Sequence, residues 1–149
     1  MGYAAGDFNA RVEIERNTKE IFLRSVPRNL FLDDERRPED VTWIDIGLGP
    51  WTIVRTQEEF EDYILTNGIP DKISFDNDLG DGNGEGRYCV QWLIDNILDG
   101  HVTFRPFVYI VHSKNNVAAE AISMKLEPFF NFMKNQNQIS ARERTKCPN

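Results

Sequence analysis

Three short apolar runs end in polar residues of the types that handle phosphate. Asp33 and Asp34 follow "NLFL", Asp76 and Asp78 follow "KISF" in "DND", and His112 and Ser113 follow "FVYIV". Adjacent carboxylates raise one another's pKa unless a cation lies between them or each is separately hydrated. Asp33, Asp34 and Asp76 offer the hard oxygen ligands that suit Mg²⁺, an ion that keeps several waters and shares its shell with phosphate. His112 has the chemistry either to protonate a leaving oxygen or to contact a phosphate. Ser113, Asn115 and the N–H groups that open the next helix suit phosphate oxygens, and Lys114 adds a positive charge. Each group also has a plainer reading. The aspartates could cap loops, His112 could be half-buried on a backbone partner, and Ser113 or Asn115 could serve as an N-cap.

Those residues need elements that bring them together. "NLFL", "WTIV", "KISF" and "FVYIV" read as strands, and the last, apolar for five residues from Phe107 to Val111, implies burial on both faces. "TQEEFEDYILTNG" reads as a helix with a capping box at Thr56 and Glu59 and a stop at Gly68. "RYCVQWLIDNILDG" places Val90, Leu93, Ile94 and Ile97 on one helical face. "NNVAAEAISMKLEPFFNFMKN" is a last helix, with a kink expected near Pro128. Alternating strands and helices predict a parallel sheet with helices on both faces, and ligands beyond the carboxyl ends of its strands. The expected divisions are 1–26, an extension with an edge strand near Val12 to Glu15; 27–134, the α/β domain; and 135–149, a polar tail. "DLGDGNGEG" reads as a flexible loop. It lacks a Walker lysine, and Arg87 stands where an EF-hand needs its bidentate glutamate.

A chain of 149 residues suits one core. The net charge of −7 disfavours non-specific binding to a nucleic acid backbone, while leaving room for a small phosphorylated ligand held through a metal. No apolar run approaches the roughly 20 residues of a membrane span, and no secretory leader is evident. Cys89 and Cys147 are too few for a disulfide framework or a zinc site, so a reducing, cytoplasmic setting is expected.

The acidic pair after "LFL", Asp76 after "ISF" and Ser113 after "YIVH" resemble the metal, acceptor and hydroxyl positions of two-component receiver domains. "FLDDERRP", "ISFDNDLGDGNGEG" and "VHSKN" resemble more closely the cyclic-phosphate processing receiver-like domains of bacteria and phages. The likeness covers roughly residues 29 to 130. It implies a three-layer α/β/α receiver or flavodoxin-like fold, with a mostly parallel sheet whose fifth strand is missing or replaced. It also implies Mg²⁺ on Asp33, Asp34 and Asp76, and action on a nucleotide or RNA end bearing a cyclic phosphate. In that reading Asp78 or a metal-bound water supplies the nucleophile, with Asp76 as a covalent alternative, and His112 protonates the leaving oxygen. Arg36, Ser113, Lys114 and Asn115 contact the substrate. Receivers also need a lysine after a fifth strand, and none is found here, which disfavours a phosphorelay through Asp76. The alternatives are a non-catalytic module that sequesters a nucleotide or a host protein, and a phospho-acceptor that regulates a partner.

Overall fold

The computed structural model describes residues 26–145; the edge strand expected near Val12 lies outside them. Four strands, β1 (Asn29–Leu32), β2 (Trp51–Val54), β3 (Lys72–Phe75) and β4 (Val108–Val111), form one parallel sheet in the order β2-β1-β3-β4. Three helices accompany them: α1 (Gln57–Asn67), α2 (Gly86–Leu98) and α3 (Asn116–Thr145). This is a receiver-like α/β fold. The chain turns from one side of β1 to the other between β2 and β3. The carboxyl ends of β1 and β3 therefore flank a topological switch point, where open α/β sheets bind ligands.

Strand alternation divides the core. Leu30, Leu32, Ile73 and Phe75 face all three helices and pack with Phe60 and Ile64 of α1, Val90 and Leu93 of α2, and Ile122 and Leu126 of α3. Completely burying each such side chain contributes about 1.5–3 kcal/mol. Phe31 faces the other way. Among the described residues that face is covered not by a helix but by Val41 and Ile46 of the β1–β2 connection, which also contains a 3-10 turn at Pro38–Asp40. Cys89 is buried and free, and burial pushes its thiol up to about 12, so it is an unreactive core residue.

Local signals explain the helix ends. Thr56 Oγ1 accepts from the Glu59 N–H (3.1 Å), and Gly68 ends α1 at φ 79°, a conformation that glycine adopts without penalty. The glutamate half of the expected capping box differs, since Glu59 Oε2 accepts from the Arg55 N–H instead (2.6 Å).

Two more expectations change, beside that of helices on both faces of the sheet. The apolar β4 is not buried on both faces: Val108 is 61% exposed and the rest are half-buried, because among the described residues no fifth strand covers this edge. The expected tail from 135 is helical as far as Thr145, and α3 passes through Pro128 without a break.

Candidate metal and phosphate site

The sheet ladder runs one residue past the strands. Asp33 N–H donates to Val54 O (3.1 Å), Asp76 N–H to Leu32 O (2.9 Å) and His112 N–H to Phe75 O (2.9 Å). Leu32, Phe75 and Val111 are register partners, so Asp33, Asp76 and His112 form the next row on the face that carries Phe31, Ser74 and Ile110. Their ligand atoms lie within 4.8 Å of one another.

These three are spaced to hold a metal ion, and they share Asp33 and Asp76 with the expected shell. Asp33 is fully buried and both its oxygens are engaged. Oδ1 accepts from the N–H groups of Glu35 (2.9 Å) and Arg36 (2.8 Å), and Oδ2 lies 2.9 Å from His112 Nε2. Burial pushes its carboxyl up, but the bonds from His112, Arg36 and Glu35 outweigh that and hold it at about 2. Arg55 braces the turn by donating to the carbonyls of Asp33 (3.0 Å) and Arg36 (2.6 Å). Asp33 thus ties the start of the β1–β2 connection to His112 at the end of β4.

His112 is held beneath the cleft in the same way. It is fully buried, its ring stacks on Phe31 with centroids 4.5 Å apart, and its Nδ1 lies 2.7 Å from Ser74 Oγ. Its two nitrogens face Ser74 and Asp33 within the fold, so in this state it positions Asp33. Ser74 escaped the sequence reading, although a serine inside "KISF", on the face opposite Ile73 and Phe75, marks a polar partner hidden in a strand.

The remaining expected residues do converge. Asp34, Arg36, Asp76, Asp78, Ser113, Lys114 and Asn115 line one cleft of about 380 Å³, together with Glu35 and Gly80. Burial pushes the Asp34 carboxyl up, and the charges of Asp33, Glu35 and Asp78 push it further. Burial and the charge of Asp33 likewise raise Asp76, against the Asn77 N–H bond. Arg36 Nη1 stands 3.8 Å from Asp76 Oδ2 and 3.5 Å from Asp33 Oδ2, so one guanidinium serves two carboxylates. Asn115 caps α3 by accepting from the Ala118 N–H (3.2 Å), and Ser113 Oγ accepts from the Asn115 N–H (3.2 Å). Asp34, Asp76 and Asp78 bring three carboxylates, the hard oxygen type that a divalent cation takes, to the cleft at the switch point; the ligand atoms that already stand within 4.8 Å of one another are those of Asp33, Asp76 and His112.

A close approach fixes Asp76. A Cβ on Gly86 would press into the Asp76 carbonyl oxygen and come within 3.0 Å of Asn77 Cα. Gly86→Ala should therefore destabilise the fold by about 3 kcal/mol, read by urea denaturation, and a change below about 1 kcal/mol would contradict this packing.

The pH dependence has two limbs. Asp33 is held below its unfolded value, so its contribution of about 2 kcal/mol is present above pH ~4 and lost as the pH falls towards ~2. Asp34 and Asp76 are shifted the other way, so protonating them relieves the fold. In a chelator, stability should rise modestly on mild acidification and then fall below pH ~4. Denaturation curves across pH check this, and a monotonic decline from neutrality would oppose it.

A family model described as "Cyclic-phosphate processing Receiver domain" matches residues 28–128. The chain belongs to this family. The cyclic-phosphate processing receiver match spans all four strands, α1, α2 and the first part of α3, and so the whole cleft. No curated protein matches. One solved structure, a fusion carrying amino acids 181–211 of the yeast Spc42 trimeric coiled coil, is 15% identical over 81% of this chain and 92% of its own, with a TM-score of 0.37. No helix among the described residues is long and apolar enough to cross a membrane.

Proposed function

We propose that this receiver-like domain is a Mg²⁺-dependent phosphoesterase that opens a cyclic phosphate on a nucleotide or RNA end. The observation that carries the reading is the shared cleft, with Asp34, Asp76 and Asp78 beside Arg36, Ser113, Lys114 and Asn115. Asp34, Asp76 and Asp78 would hold the cation, which when bound supplies charge neutralisation and polarises a phosphoryl oxygen. Arg36 and Lys114 attract the phosphate, and Ser113 and Asn115 orient its oxygens. Asp78, the most exposed of the three acids, takes a proton from the attacking water. The water oxygen bonds to phosphorus, the ring P–O ester bond breaks, and solvent in the open cleft returns a proton to the departing oxygen. His112 and Ser74 act through Asp33, keeping the Asp33–Arg36 turn, and so Arg36, in place.

The full chain should convert 2′,3′- or 3′,5′-cyclic nucleotides, or an RNA with a cyclic end, to the monoester in Mg²⁺ and lose the activity in excess chelator. Substrates that stay unchanged across that panel would contradict the reading. One observation favours a second reading, a phospho-acceptor. Arg36 lies near Asp76, where a receiver's missing lysine would otherwise meet the acyl phosphate. Beryllofluoride labelling of Asp76 separates the two.

A further inference from the structure

We propose that Trp43 is a positioning residue that presents Arg36 and Lys114 as a paired cation clamp for a phosphate group, a deepening that rests on the cleft being a phosphate site. Trp43 belongs to the β1–β2 connection, yet its Nε1–H donates to the His112 carbonyl at the end of β4 (2.9 Å). The indole is thereby pinned to the sheet rim, and it stays 39% exposed behind the cleft wall. The Lys114 ammonium lies 4.4 Å from its ring centroid and the Arg36 guanidinium carbon 5.2 Å. An indole face attracts such cations, and one ring holding two restricts both.

Two like charges held this way repel. The ring distances keep them within about 10 Å of one another, about one Debye length at 0.1 M salt. Arg36 is shared with Asp33 and Asp76, but among the described residues no ion pair joins Lys114 to a carboxylate. Lys114 is therefore the cleft cation left without a carboxylate partner, and both cations line the same cleft as Asp34, Asp76 and Asp78. A phosphate fits between the two sets. Its oxygens can face a cation on the acid side and the clamp on the other, and a neutral or singly charged carboxylate ligand would satisfy only half of this.

Calorimetric titration of inorganic phosphate into the full chain in excess Mg²⁺ tests the clamp. Lys114→Gln and Trp43→Leu should each weaken binding about tenfold. Trp43→Phe should bind between wild type and Trp43→Leu, because a phenyl face also holds cations but lacks the N–H that pins the ring. The Trp43→Leu/Lys114→Gln pair should lose less than the two single losses combined, since both remove the Trp43–Lys114 contact while Trp43→Leu also frees Arg36. Wild-type affinity in Lys114→Gln, losses that add in full, or no phosphate binding by the unaltered chain would overturn the clamp. Lys114 is exposed, so Lys114→Gln decides the matter alone should Trp43→Leu fail to fold. Phosphate binding with this pattern but no turnover of cyclic phosphates would sink the phosphoesterase reading and leave the clamp standing.

Discussion

Asp33→Ala is expected to cost about 3–5 kcal/mol of stability, the range for removing one partner of a buried polar pair. Its carboxylate satisfies His112 Nε2 and the N–H groups of Glu35 and Arg36, all beneath the cleft floor. Alanine leaves the buried His112 Nε2 without this partner and frees two part-buried N–H groups, and each unsatisfied buried group costs about 1–3 kcal/mol. Asp33→Asn should cost less, because its carbonyl oxygen still accepts from Glu35 and Arg36. Urea denaturation of the two variants beside wild type measures the difference. A loss below about 1 kcal/mol in Asp33→Ala would mean that Asp33 does not organise this floor. Ser74→Ala, at the far end of the same chain of bonds, should cost about 1 kcal/mol.

Asp76→Asn should move activity and stability in opposite directions. Its Oδ1 accepts from the Asn77 N–H (2.8 Å), a bond that asparagine keeps. What asparagine removes is a charge raised by burial and by Asp33. The ion-free variant should therefore melt a few degrees above wild type, the shift that about 1 kcal/mol produces in a domain of this size. Turnover of a cyclic phosphate should fall at least about a thousandfold, roughly 4 kcal/mol of barrier, because a ligand of the cation and part of the cleft's charge are gone. A variant that loses stability and activity together would indicate a packing role for Asp76 instead.

The elements were legible because their signals are local. Thr56, Gly68 and the apolar run of Leu30, Phe31 and Leu32 mark a helix start, a helix stop and a buried strand without reference to the rest of the chain. The convergence of Asp34, Asp76, Asp78 and the Ser113–Asn115 stretch was legible because parallel strands deliver their carboxyl ends to one rim. The roles of Asp33 and Asp34 were not, because they turn on which face each side chain joins. Asp33 continues the Phe31 face and meets His112, whereas Asp34 turns into the cleft. Likewise the burial of His112 depends on Phe31 and Ser74, partners 81 and 38 residues away in sequence. The exposure of β4 depends on a strand that the chain does not supply among the described residues. The helical continuation of α3 was hidden by polar composition: Gln136, Gln138 and Arg142 are good helix formers, and a helix already packed through Ile122 and Leu126 needs no new nucleus to extend.

The most direct test of the site is a calorimetric titration of Mg²⁺ into the chelator-stripped wild type and into Asp34→Asn, each followed by a melting scan. The wild type should take up one ion with saturable heat and melt higher for it. Asp34→Asn should start from a higher ion-free melting temperature and respond to Mg²⁺ weakly or not at all. A wild type whose melting temperature ignores Mg²⁺, or an asparagine variant that binds the ion as tightly as wild type, would contradict a cation site built on Asp34, Asp76 and Asp78.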